Sequence, residues 1–189
     1  MGTGKTSVGK RLAERLEMPM IDTDDIITED SGMDIPDIFA RYGEPHFRDL
    51  ESAAVCKAAN LEGHVISTGG GVVLRASNLD MLKRTGVAFC LTATSEEIWR
   101  RVGSETHRPL LQAPNPLSKI EQMLIERRPF YAHADYEIPT TGLSIKAVTD
   151  KIVEIFQQSL HSEWNVNRKI DRSVGVKNKT VLLKLKGFV

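Results

Sequence analysis

With 189 residues, 41% of them hydrophobic and 26% charged, the chain is long enough for one globular domain with a substantial core and short for two. No apolar run approaches the roughly 18 residues that span a bilayer, no apolar leader with a cleavage site stands at the start, and two cysteines make neither a disulfide framework nor a metal-ligand spacing. These features exclude a membrane-spanning or disulfide-built protein and predict a soluble, cytoplasmic monomer in which Cys56 and Cys90 are buried, reduced thiols. The formal net charge of +0 hides an asymmetry: residues 161–189 carry seven basic side chains against Glu163 and Asp171, leaving +5 there and −5 in the rest. An acidic body with a basic tail does not match a nucleic-acid-binding domain, whose cations cluster on a folded face.

In chain order, the first signal is MGTGKTSVGK, in which Gly4, Lys5 and Thr6 close the phosphate-loop pattern G-x-x-x-x-G-K-[ST] with Gly2 and Thr3 inside it. The leading glycine of that pattern falls two positions ahead of Met1, and the strand that precedes such a loop is missing with it. Amide groups of the Gly-rich turn and the helix N-terminus form an anion nest, Lys5 adds a charge for the β- and γ-phosphates, and Thr6 offers a hydroxyl to Mg²⁺. Val8, Leu12 and Leu16, four apart, predict the helix that follows, and MPMID predicts a short strand ending at Asp22.

The segment IDTDDIITE puts Asp22, Asp24 and Asp25 where a strand enters a helix. A phosphoryl-transfer site needs one acid near the metal and another that orients or deprotonates the acceptor hydroxyl; Asp22 and Asp24, two apart, suit that division. The plainer reading, N-capping by Asp22 or Thr23 with dipole-favoured acids, competes with it. Ile35, Ile38, Phe39 and Tyr42 share one helical face; Phe47, Leu50, Ala54, Ala58 and Leu61 share another, with Arg48 in HFRDLE either solvated and paired with nearby acids or turned to an anionic ligand.

HVIST reads as a buried strand running into Gly69, Gly70 and Gly71, a run that allows close backbone approach of a ligand. A helix through Leu79 and Leu82 leads to the strand VAFCL, and Thr94 with Glu97 forms a capping box for the helix IWRRV. Residues 104–117 lack periodicity and carry three prolines, which predicts a lid with Arg108 placed to stabilise a transferring phosphoryl group. Ser118 with Glu121 predicts the next cap. Arg127, before a proline expected to end that helix, projects into a cleft as a bidentate carboxylate ligand. YEIP is a brief strand, and Ile145, Val148, Ile152, Ile155 and Phe156 line a last amphipathic helix. Strands separated by helices predict a layered α/β fold on a parallel sheet, with ligands bound beyond the strands' carboxyl ends.

Taken together, GTGKTSVGKRLA, IDTDDII, FRDLE, STGGGVV, RPLL and ERRPFY, in this order and at these spacings, resemble shikimate kinase from Met1 to about Leu160. The resemblance implies a P-loop kinase domain over 1–160, with strand order 2-3-1-4-5, helices on both faces and a lid at about 104–117. It implies ATP-dependent phosphorylation of the 3-hydroxyl of shikimate in aromatic amino acid biosynthesis, with ATP and Mg²⁺ as cofactors. Lys5 and Thr6 then hold phosphate and Mg²⁺, Asp22 supports the metal, and Asp24 meets the shikimate hydroxyls as the catalytic base. Arg48 and Arg127 grip the substrate carboxylate, Gly69, Gly70 and Gly71 line its pocket, Arg108 is the lid arginine and Arg101 lies beside adenine, with further adenine contacts near PTTGLS. Two other readings compete: a related gluconate-type kinase, and a non-catalytic domain that binds a partner through its basic tail.

The chain departs from that family in two respects. Loss of the first strand, central in the sheet, predicts a vacant slot, poor folding and weak ATP binding. Residues 161–189 extend past the expected last helix and are expected to be a flexible basic extension. VLLKLK shows partial strand alternation, and the alternative expectation is that the tail fills the slot, although Lys184 and Lys186 ill suit a buried strand.

Overall fold

The computed structural model describes residues 3–103, 115–170 and 180–185, with side chains over 3–103 and 115–160. Helix α1 (Lys5–Leu16) starts at Gly4, whose φ of 90° a side chain would strain. Strand β1 (Met20–Asp22) runs into α2 (Thr23–Ser31), capped by Asp22, whose Oδ1 accepts from the Asp24 N–H at 3.0 Å. Helix α3 (Ile35–Ala59) is broken at Gly43 (φ 78°, ψ 176°), so its two apolar faces are separately oriented as expected, with Tyr42 exposed. Strand β2 (Val65–Ser67), a 3₁₀ turn (Val72–Leu74), α4 (Ala76–Lys83), β3 (Gly86–Thr92) and α5 (Ser95–Val102) follow. Helix α6 (Pro116–Tyr131), β4 (Tyr136–Pro139), α7 (Ile145–Ile170) and β5 (Thr180–Leu185) complete the described elements.

All the strands pair in parallel, in the order β1-β2-β5-β3-β4. The expected α/β layers are present, and alternation along the inner strands assigns residues to them. Val87, Phe89 and Leu91 of β3, with Val65 of β2, pack with Val8 and Leu12 of α1 and with Val148, Ile152 and Phe156 of α7. Ala88, Cys90 and Ile66 face the other layer, formed by α2, α3 and α4 through Ile27, Ile38, Phe47, Ala54 and Leu79. Every residue of β3 is buried, as expected of a strand covered on both sides.

Several expectations are corrected. The central slot is filled: β5 occupies the place expected for the missing first strand, so residues 161–189 are no mere appendage, and part of them extends α7 to Ile170. A parallel strand inserted between β2 and β3 satisfies ladder groups that would otherwise be orphaned on both neighbours. Helix α6 is capped by Asn115, whose Oδ1 accepts from the Ser118 N–H at 3.2 Å, and not by Ser118 itself. Pro129 lies within the last turn of α6 and does not end it. Cys56 is exposed, whereas Cys90 is buried. The Thr94 cap is present, its Oγ1 accepting from the Glu97 N–H at 3.2 Å. Most of the expected lid, residues 104–114, lies outside the described residues. Among the described residues no helix is long and apolar enough to cross a membrane.

Leu12 is fully buried where α1 meets the sheet. Leu12→Ala is expected to cost about 3–5 kcal/mol, read as a lowered urea midpoint at unchanged slope.

Candidate active site

The carboxyl ends of the strands gather most of the expected residues into two neighbouring regions. At one, Gly4 turns the chain into α1 so that Thr3 is buried, Lys5 is half-buried and Thr6 is exposed on the first helical turn. A cleft of about 610 Å³ opens here, lined by Thr3, Gly4, Ser7 and Arg101 and, across from them, by Thr140 and the turn through Gly142 to Ser144. The backbone amides at the start of α1 have no side-chain cap, which leaves that end available to an anion. Arg101 is held in place: its Nε and Nη2 reach Glu97 at 2.7 Å, and Nη1 and Nη2 also donate to Thr140 Oγ1 and O at 3.1 and 3.0 Å. The segment PTTGLS, expected near adenine, thus forms the far wall of this cleft. Gly2 and Arg108 lie outside the described residues.

The second region is built around Asp24. Asp22 closes β1 and spends one oxygen on the α2 cap and the other on the Ser67 hydroxyl at 2.8 Å. The capping reading of Asp22 therefore holds, and each of its carboxylate oxygens keeps a spare lone pair. Asp24, the second residue of α2, has a buried Oδ1 with no hydrogen-bond partner. Burial first, then the neighbouring charge of Asp22, push its pKa up to about 6, while Lys5 pulls the other way and so lies within electrostatic reach. Gly69 completes the contact: a Cβ there would stand 3.2 Å from both Asp24 Oδ1 and Glu51 Oε1.

Glu51 is fully buried, and its Oε1 is unpartnered too. Burial raises its pKa, against the opposing charges of Arg48, Arg127 and Arg75. Arg48 is only 7% exposed and packs on the Phe47 ring. Its Nη1 donates to Glu51 Oε2 at 2.9 Å, while Nε and Nη2 both donate to Glu44 Oε1 at 3.1 and 2.9 Å. Burial works against the guanidinium charge, but Glu51 and Glu44 outweigh it and hold the group protonated. The guanidinium lies so close to Gly71 that a Cβ there would come within 2.1 Å of Nη1. Gly70 contributes its carbonyl, which accepts the Tyr131 hydroxyl at 3.0 Å and ties α6 to the glycine run. Arg127, also on α6, is half-buried and close enough to Glu51 to act on its charge.

The structure thus brings Lys5, Asp22, Asp24, Arg48, Gly69, Gly70, Gly71 and Arg127 together, and sets Arg101 at the separate cleft. Glu51, Glu44, Tyr131 and Thr68, whose buried Oγ1 also lacks a partner, were not singled out from the sequence. The spacing of Arg48 and Glu51, three apart in one amphipathic run, was the available signal for that pair.

Comparison with known proteins gives this arrangement its relatives. The family model described as shikimate kinase matches residues 1–157. The shikimate kinase of Thermoanaerobacter pseudethanolicus is 47% identical over 82% of this chain and 91% of its own length. That of Geobacter metallireducens is 48% identical over 82% and 85%. Among solved structures, the shikimate kinase from Acinetobacter baumannii in complex with shikimate superposes with a TM-score of 0.78 at 34% identity, covering 84% of this chain and 89% of that one. The shikimate kinase from Bacteroides thetaiotaomicron gives 0.76 at 32% identity, over 83% and 94%. On the extent of the matched model and the identity to these relatives, the chain belongs to the shikimate kinase family.

Proposed function

We propose that the chain transfers the γ-phosphoryl group of ATP to the 3-hydroxyl of shikimate. The observation that carries this reading is an unpartnered, buried Asp24 oxygen against Gly69, within electrostatic reach of Lys5 and next to Glu51, on which the Arg48 and Arg127 guanidinium groups act. A cyclic alcohol bearing a carboxylate suits that array, with its charged end at the arginines and its hydroxyls at the aspartate.

Asp24 accepts the proton of the attacking hydroxyl. With a pKa of about 6 it is ionised at neutral pH, yet more basic than an ordinary carboxylate. Lys5 neutralises phosphate charge from the start of α1, where the helix amides add their dipoles. Arg101 and the Thr140–Ser144 turn receive the base of the nucleotide. Thr6 and Asp22 would hold Mg²⁺, whose preference for oxygen ligands suits an exposed hydroxyl and a carboxylate with spare lone pairs. When bound, that ion would offset charge developing in transfer.

The Arg48 fork points to how the acceptor is received. Glu51, fully buried, fixes one edge of the guanidinium, while Glu44, with its side chain 59% exposed, occupies the other edge through a single oxygen. A substrate carboxylate replaces Glu44 there with a bidentate pairing of better geometry. Arg108, in the expected lid, completes the cation set around the transferring group.

Arg127→Ala is expected to raise the KM for shikimate tenfold or more while leaving that for ATP within twofold; an equal rise in both counts against the assignment. Asp24→Asn is expected to lower kcat by about 10²–10⁴, and kcat/KM of the parent enzyme to fall as pH drops below about 6. The same variant reports on stability. The folded protein binds the Asp24 proton more tightly than the unfolded chain, so this group costs stability as pH rises from about 4 to about 6, and the cost is complete above that. Asp24→Asn is therefore expected to stabilise the fold by about 1–3 kcal/mol at pH 8, with the gain gone below pH 4.

A further inference from the structure

Strand β5 stands in the middle of the sheet, yet it is remote in sequence from the loop it lies beneath. Val181 is in register with Val65 on one side and Val87 on the other, Leu182 with Ile66 and Ala88, and Leu183 with Ser67 and Phe89. Lys184 and Leu185 extend the ladder along β3 opposite Cys90 and Leu91. Because the pairing is parallel, the carboxyl end of β5 lies at the edge of the sheet that carries Asp22, Ser67 and the start of α1. Helix α1 packs on the same layer, with Val8 and Leu12 against Val65, Val87, Phe89 and Leu91, the residues that flank β5.

A phosphate loop is ordinarily a continuous strand, turn and helix, the strand fixing one side of the anion nest and the helix the other. Here the helix is residues 5–16 and the strand is residues 180–185. We infer that β5 is the strand of the phosphate-binding unit, docked from a remote part of the chain, so that nucleotide binding and β5 docking are thermodynamically coupled. The inference rests on the loop being the nucleotide site, as proposed above.

Coupling is reciprocal: if β5 supports the bound nucleotide, the nucleotide must hold β5 in place. The placement can be tested without any ligand. Register partners in adjacent parallel strands lie about 4.8 Å apart, within the Cα separation of a disulfide. Lys184→Cys, made in a Cys56→Ser background and refolded under oxidising conditions, is expected to cross-link to the native Cys90 within one chain. Amide exchange of the parent protein tests the coupling. The amides of 180–185 are expected to exchange as slowly as those of β3, and Mg·ATP to slow them at least tenfold further.

Exchange of 180–185 at free-peptide rates, with no cross-link to Cys90, overturns the placement. A cross-link joining two chains overturns docking within one chain and assigns the strand to a second copy. Slowed exchange at the start of α1 with β5 unchanged overturns the coupling. Should Mg·ATP slow exchange nowhere, the kinase reading falls together with the coupling, while an intrachain cross-link still upholds the strand's position.

Discussion

The sheet is held together at its centre by two ladders made by one strand. Strands β1 and β2 form one half and β3 and β4 the other, and among the described residues the only strand pairing that joins them is through β5. The division matters because the site is divided in the same way. The region around Asp24 rests on the first half, with Asp22 at the end of β1, Ser67 at the end of β2, and Gly69 and Gly71 just beyond. One wall of the cleft beside α1 rests on the second, with Arg101 on α5 after β3 and Thr140 after β4. In-line transfer needs donor and acceptor fixed relative to one another to well under an ångström, and a central strand bonded to both halves supplies that rigidity.

Within the first half, the chemistry comes from crowding acids where water is scarce. Asp24 and Glu51 converge on Gly69, and repulsion from Asp22 and Glu51 joins burial in raising the Asp24 pKa. Such an arrangement is unfavourable for the empty protein. It persists because Arg48, and at longer range Arg127 and Arg75, balance Glu51, and because Ser67 and the α2 amide satisfy Asp22. The unpartnered oxygens of Asp24 and Glu51 and the idle Thr68 hydroxyl are polar groups without internal bonds, the usual mark of a surface shaped for a ligand's own polar groups.

The helices and strands of residues 5–160 were legible because their apolar periods are clean and their turns carry glycine or a cap. The site was legible where residue type alone carries chemistry: a lysine after a Gly-rich turn, acids at a strand end, glycines after a buried strand. Pairing was less so. Arg48 looked either solvated or ligand-facing, and it is neither alone: it is a buried cation shared by Glu44 and Glu51, which only the kink at Gly43 and the packing of α3 decide. Strand β5 was hardest to read, because Lys184 and Lys186 break the apolar run expected of a strand covered on both faces. Its assignment follows from two flanking ladders in need of a partner, a constraint set by tertiary structure and invisible to a local window. The Asn115 cap and the tolerated Pro129 likewise turn on backbone geometry that residue type underdetermines.

The position of β5 in the sequence also sets the order in which the domain can assemble. Residues 180–185 follow β1 to β4 and the described helices in the sequence, so the inner edges of β2 and β3 wait for a strand that comes after both of them. Closing them requires the most non-local contacts in the molecule, which slows the final step and leaves sticky, half-built intermediates exposed to one another. Until those six residues dock, the edges of β2 and β3 are templates for pairing with other chains.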